Sequence, residues 1–170
     1  MKQKNLVLLV GPPASGKSTF VNNQLKLVGG AVVSRDDIRF SKLQEGDAYF
    51  QYEDEVFTDF IAAIKRHTKD ENIHNIFVDA THINKKSRMK TLNRLNLNDY
   101  DEIIAFVFMV SKETCKERNK YRQGLRQVPE NAIDDMYERF TFPLPSEPFT
   151  KIYIVDENNN ILDLTKGELV

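Results

Sequence analysis

Two patterns of apolar residues alternate along this chain. The first is a set of short unbroken runs: Leu6-Val7-Leu8-Leu9-Val10, Ala31-Val32-Val33, Ile73 to Val78, Ile103 to Val110 and Ile152-Tyr153-Ile154-Val155. Runs of this length and β-branched content suit strands buried on both faces of a parallel sheet. The second has apolar residues returning at helical spacing, as in Phe20, Val21, Leu25 and Leu27. Tyr52, Val56, Phe60, Ala63 and Ile64 predict a long helix from Ala48 to Lys69. Further helices are predicted from Asn84 to about Leu97, over Lys112 to Tyr121, and from Pro129 towards Phe140. Pro143, Pro145 and Pro148 enforce an irregular connection before the last run. Asn158-Asn159-Asn160 reads as a turn, after which Ile161 to Leu164 is placed to pair back as an edge strand.

Strands alternating with helices predict βαβ units. The expected fold class is α/β, a three-layer sandwich with a mainly parallel five-stranded sheet. The chain shows no repeat, low-complexity tract or linker, and its 170 residues suffice for a sizeable core, so one domain spanning 1–170 is expected.

The first turn carries the strongest chemical signal. Gly11-Pro12-Pro13-Ala14-Ser15-Gly16-Lys17-Ser18-Thr19 fits the P-loop pattern G-x-x-x-x-G-K-[ST] without a gap. An apolar strand precedes it and a helical pattern follows, the context this motif needs. A chance Gly/Pro turn before a helix would lack the lysine and the hydroxyl. The fold expectation narrows to a kinase-like P-loop NTPase. Backbone N–H groups from Gly11 through Thr19, notably at Ala14, Ser15 and Gly16, would face the phosphates of ATP or another nucleoside triphosphate. Lys17 would reach the β/γ-phosphates and Ser18 would offer its hydroxyl to Mg²⁺.

In open parallel sheets ligands sit beyond the carboxyl ends of the strands. That rule gathers Asp36 and Arg39 after the second strand, and Asp79 and Thr81 after the third, at the mouth of the P-loop. A carboxylate at Asp36 can accept the proton of an attacking hydroxyl. Arg39, one helical turn on, would place a guanidinium near the same substrate. The alternative is that Asp36 and Asp37 cap a helix, a role Ser34 can also fill, while Arg39 is solvated. Asp79 either holds the Mg²⁺ shell through water or caps the next helix, and Thr81 either donates to an acceptor phosphate or caps. His82 reads as structural, and His67 and His74 carry no assignment.

After the fourth strand, Lys116 to Arg126 is dense in cations. Arg118 and Arg122 are four apart, which places them on one helical face. With Gly124 as a hinge, the stretch around 115–128 reads as an arginine-bearing lid over the phosphates, the alternative being a solvated basic face.

Composition sharpens this picture. The formal net charge is −1, which excludes the global basic field of a nucleic-acid coat protein, so any anion site is local. Cys115 is the one cysteine, so no internal disulfide can form and a reducing compartment is expected. The apolar run after Met1-Lys2-Gln3-Lys4-Asn5 is too short for a signal segment or a membrane span. A cytoplasmic protein with no membrane association is the expectation. The helix after the third strand adds one local field: Lys85, Lys86, Arg88, Lys90 and Arg94, with no acidic residue among them. Lys86, Lys90 and Arg94 are spaced by four, and this face either follows the phosphates of a nucleic-acid strand or is simply solvated.

Taken in order, four segments resemble the kinase domain of polynucleotide 5′-kinases, as in phage end-healing and bacterial RNA-repair enzymes. They are Gly11 to Thr19, Ser34-Arg35-Asp36-Asp37-Ile38-Arg39, Val78-Asp79-Ala80-Thr81-His82, and Glu117-Arg118-Asn119-Lys120-Tyr121-Arg122 with Arg126-Gln127-Val128-Pro129. The resemblance runs from Leu6 to about Phe140. It implies that Asp36 is the general base for a 5′-hydroxyl, and that Arg39 contacts the acceptor's terminal phosphate with Thr81 beside it. It further implies that Lys17, Ser18, Arg118, Arg122 and, more weakly, Arg126 bind the ATP phosphates, with Mg²⁺. The acceptor would be a 5′-hydroxyl end of DNA or RNA, and any repair ligase or phosphatase would be a separate protein. Two departures stand out: Ala80 occupies a position where some members carry a carboxylate, and His82 replaces the usual asparagine. The competing readings are a P-loop kinase of a small molecule (nucleoside, sugar or antibiotic) and a nucleotide-binding regulator without transfer activity.

Overall fold

The computed structural model describes residues 3–164, so residues 1, 2 and 165–170 of the expected 1–170 span lie outside the described residues. The strands are β1 (Asn5–Val10), β2 (Ala31–Ser34), β3 (Asn75–Asp79), β4 (Glu102–Met109), β5 (Lys151–Asp156) and β6 (Ile161–Asp163). The helices are α1 (Lys17–Val28), α2 (Arg35–Lys42), α3 (Glu53–Lys69), α4 (Lys85–Leu92), α5 (Lys112–Lys120) and α6 (Glu130–Glu138). Single 3₁₀ turns lie at Leu97–Asp99 and Gly124–Arg126.

The described residues form one sheet in the order β2-β3-β1-β4-β5-β6. The first five strands pair in parallel, and β6 pairs antiparallel to β5. The sheet therefore has six strands, correcting the expected five. The sixth is set by the asparagine turn. Asn159 takes a left-handed φ of 64°, and the Asp156 carboxylate accepts from the backbone N–H of Asn158 and Asn160, each at 2.8 Å. These bonds close a tight turn that returns Ile161 to pair with Val155.

β1 is the centre of the molecule, and its side chains alternate between two cores. Leu6 and Leu8 pack with Phe60 and Ile64 of α3, whereas Val7 and Leu9 pack with Phe20 and Val21 of α1. Strand periodicity thus sends successive residues to opposite helical layers. Two predicted helices change length. α3 begins at Glu53, five residues later than Ala48, because 49–52 turn instead. α4 opens on Asn84, whose side chain accepts from Ser87 N–H at 2.9 Å in a capping box, and it stops at Leu92. Arg94 consequently lies beyond the helix, so Lys86, Lys90 and Arg94 do not line one helical face.

Candidate active site

The carboxyl ends of β1, β2 and β3, together with the segment after β4, open on one mouth of about 1060 Å³. The P-loop forms its floor. A Cβ at Gly11 would lie 2.9 Å from both Phe108 Cβ and Ser15 Oγ, so only glycine fits there. Ala14 and Gly16 take left-handed φ values of 61° and 98°. α1 starts at Lys17 with no side chain capping its first turn. Its opening N–H groups and the dipole are left to an anion at the mouth.

Lys17 is 8% exposed, and its Nζ donates to Gly11 O at 2.9 Å and Pro12 O at 2.7 Å. These partners are neutral. Burial pushes the Lys17 pKa down, opposed by the fields of Asp79 and Asp36. A buried cation whose direct partners carry no charge suits a polyphosphate. Ser18 Oγ donates to Asp79 Oδ2 at 3.1 Å. Burial pushes the Asp79 carboxyl up, and Lys17 and Ser18 pull it back. Asp79 is not the cap of α4, since Asn84 is. Among the described residues no group of three or more His, Cys, Asp and Glu could hold a metal ion. Ser18 and Asp79 fit magnesium only when it arrives with phosphate oxygens, as hard oxygen ligands on an ion that keeps part of its water.

Across the mouth, Ser34 caps α2 by accepting from Asp37 N–H at 3.2 Å. Asp36 is thereby free of the capping role, and its carboxylate is half-exposed. Arg39 is buried, not solvated: it pairs with Asp36 and donates to Glu53 Oε2 from Nε at 3.2 Å and Nη2 at 3.0 Å. Its guanidinium lies 4.9 Å from the Tyr49 ring centroid and 5.5 Å from that of Phe50. The Tyr49 hydroxyl donates to Asp36 Oδ1 at 3.4 Å and accepts from Arg39 Nη1 at 3.2 Å. Glu53 also pairs with Arg35. Glu53 and Tyr49, at a helix start and in a turn, have no motif to mark them, and Arg35 lies within the second matching segment but carries no assigned role there. Thr81 lines the mouth, and its carbonyl accepts from Gly11 N–H at 2.9 Å.

The cation-rich stretch after β4 borders this mouth. Arg118, Arg122 and Arg126 all line it. Arg118 Nη1 lies 3.9 Å from the position a Cβ would take on Gly16, so it overhangs the P-loop. α5 ends at Lys120, which places Arg122 in the following turn rather than on the helical face of Arg118. Gly124 takes a φ of 58° at the expected hinge. Arg126 reaches across to Asp37 at 2.9 Å and stacks over Phe40 at 5.1 Å. Both charges of that pair are largely exposed, so the contact is weak.

Behind the mouth is a polar core that the sequence reading did not find. His82, at a φ of 44° and 3% exposed, lies 3.1 Å by Nδ1 from Leu9 O and 3.2 Å by Nε2 from Thr91 Oγ1. A carbonyl only accepts, so Nδ1 carries the proton and Nε2 accepts from the threonine. Arg88, one of the five cations of the basic stretch, is fully buried. It pairs with Glu147 at 2.6 and 2.9 Å and donates to His82 O at 3.0 Å and Thr141 O at 2.9 Å. Lys90 stays exposed, with its ammonium 4.4 Å from the Phe57 ring centroid.

Burial, reinforced by the nearby charges of Arg35, Arg88 and Lys17, pushes the His82 pKa down to about 4. The folded chain resists protonation there, while the unfolded chain takes its proton near 6.5. This contribution to stability is therefore present above pH 6.5, declines as pH falls below it, and is lost by about pH 4, a difference of about 3 kcal/mol. Asparagine tolerates the left-handed backbone and does not titrate. Denaturant midpoints of His82→Asn should fall less steeply than wild type between those pH values. Parallel curves would show that His82 is not the titrating group.

The family model AAA_33, described as an AAA domain, matches residues 6–143. No curated protein matches the chain. Among solved structures, a gluconokinase from Sinorhizobium meliloti 1021 aligns with TM-score 0.60 and 17% identity over 94% of this chain and 86% of its own. A sugar kinase from Janibacter sp. HTCC2649 aligns with TM-score 0.62 and 15% identity, covering 93% and 87%. A chain of the Pnkp1/Rnl/Hen1 RNA repair complex aligns with TM-score 0.65 and 26% identity over 86% of this chain, which spans only 50% of that one. The fold is thus that of the P-loop kinases, which implies nucleotide binding. Among the described residues no helix is long and apolar enough to cross a membrane.

Proposed function

This chain belongs to the AAA_33 family of AAA domains, and on that premise we propose that it is an ATP-dependent kinase of polynucleotide 5′-hydroxyl ends. The observation that carries the reading is the facing of two halves across one mouth. All four residues line it, and Lys17 and Ser18 would form the donor side, with Asp36 and the buried Arg39 as the acceptor side. Simple nucleotide binding needs neither acceptor residue. The 26% identity to a chain of an RNA repair complex, higher than to either sugar kinase above, supports a nucleic-acid acceptor. A separate ligase or phosphatase partner belongs to the same reading.

In the proposed reaction, Asp36 accepts the proton of the 5′-hydroxyl as its oxygen bonds to the γ-phosphorus and the bond to the leaving diphosphate breaks. Lys17 and Arg122 stabilise charge on the phosphate oxygens, with Arg118 and Arg126 closing the lid. Magnesium held at Ser18 and Asp79 would neutralise charge on the phosphates. Gly11, Ala14, Ser15, Gly16 and Thr19 shape the cradle. Arg39, held by Glu53, and Thr81 position the acceptor phosphate. The chain acts as one domain, in a cytoplasmic setting.

Labelled ATP, Mg²⁺ and a 5′-hydroxyl oligonucleotide test this directly. The expected result is a labelled 5′ end, with Lys17→Ala slowing transfer by about 10²–10³-fold through loss of a charge where phosphoryl charge develops. Near-wild-type turnover by a folded Lys17→Ala protein would remove the P-loop assignment. A second reading, a small-molecule kinase, draws on the gluconokinase and sugar kinase likenesses, which span nearly the whole chain. Preference for a nucleoside or sugar over every oligonucleotide would install it instead.

A further inference from the structure

Phe50 is 66% exposed. Other large side chains left in water, such as Leu27, Tyr121 and Leu125, do not line the mouth, whereas Phe50 does. Its ring has two neighbours. Tyr49 packs edge-on against it, with centroids 4.7 Å apart and planes at 82°, and the Arg39 guanidinium stands 5.5 Å from its centroid. Arg39 is in turn clamped by Glu53 and paired with Asp36. An aromatic surface, one guanidinium away from the carboxylate that would take the acceptor proton, is thus presented to solvent. The ring stays hydrated in the free protein, and a flat π-system from a ligand would remove that apolar surface from water.

We infer that Phe50 is the stacking platform for the nucleobase of the acceptor's 5′-terminal nucleotide. This deepens the polynucleotide kinase reading and rests on it. The chemistry suits a base: every nucleobase has a π-face, and stacking on an aromatic ring tolerates any sequence. The adjacent Arg39 holds the following phosphate, so the base and the phosphate of one nucleotide would be read by neighbouring groups. The hydroxyl then falls towards Asp36.

The test compares two oligonucleotides that differ only at the 5′-terminal nucleotide, one carrying its base and one abasic, both with a free 5′-hydroxyl. Each is assayed with wild type, Phe50→Leu and Phe50→Trp. Wild type should favour the base-bearing end by roughly tenfold in kcat/KM, mostly through KM. Phe50→Leu should lose that preference, and Phe50→Trp should keep it, with KM for ATP unmoved in both. The preference is a ratio within each protein, so general damage from the leucine would cancel. Equal use of the two ends by wild type, or an undiminished preference in Phe50→Leu, would overturn the platform while leaving the kinase reading intact. Failure of wild type to phosphorylate either oligonucleotide would overturn both. A base-dependent preference seen only with free nucleosides would keep the platform's chemistry but defeat the polynucleotide acceptor, and with it this inference.

Discussion

Asp36→Asn should lower the rate of phosphoryl transfer by about 10²–10⁴-fold and leave ATP affinity near the wild-type value. Asparagine has the size of aspartate and keeps an oxygen that can accept from Arg39 and Tyr49, so the acceptor wall should retain its shape. What disappears is the capacity to take a proton from the attacking hydroxyl. The position of Asp36 makes the two effects separable. It is half-exposed at the start of α2, while the atoms that would hold ATP are backbone groups of the P-loop and Lys17 on the opposite side. Single-turnover rates and an independent ATP-binding titration together decide the matter. Loss of ATP binding in this variant would move Asp36 to the donor side and sink its role as base. Unchanged turnover would mean that the hydroxyl needs no base, or finds another.

The parts of the site that were legible in the sequence are those encoded locally. Nine consecutive residues carry the P-loop because its backbone turns, its lysine and its hydroxyl all lie within two turns of chain. The two left-handed positions at Ala14 and Gly16 follow from that motif. Asp36 and Arg39 were legible as a spacing, but not as a structure. Whether Asp36 caps the helix depends on Ser34 taking that role instead, which is a matter of geometry and not of spacing. Glu53 was invisible for a different reason. It meets Arg39 from another helix, 14 residues away, and nothing in its own neighbourhood marks it. The basic stretch after the third strand misled because a charge run carries no information about burial. Helical spacing joined Lys86, Lys90 and Arg94 on paper, and helix termination at Leu92 separated them. Strand order was likewise not written in the periodicity, since insertion of β3 between β1 and β2 is a matter of crossover connections.

Removal of either partner of the Arg88–Glu147 pair should cost about 3–5 kcal/mol of stability. Both side chains are fully out of solvent, and Glu147 also accepts from Leu144 N–H at 2.8 Å. Burial alone would push the Glu147 carboxyl up. The two hydrogen bonds from Arg88, with that from Leu144, hold it below its ordinary value of 4.5. The pair therefore stabilises the fold above that pH and loses its contribution only as pH falls through the lowered value, a more acidic window than that of His82. At neutral pH, Arg88→Ala or Glu147→Ala leaves a charge buried without its partner. For a chain of this length, each should lower Tm by roughly 10 °C. Arg88→Met combined with Glu147→Leu removes both charges and should recover most of the loss. Arg88 also bonds His82 O, next to Thr81, so the single variants should loosen the strand-three exit as well. Hydrogen exchange at the Gly11 amide, which donates to Thr81 O, would report that loosening. Single variants as stable as wild type would show that the pair contributes little. A double variant no better than either single would show that the packing of these side chains, rather than their charge, is what the core requires.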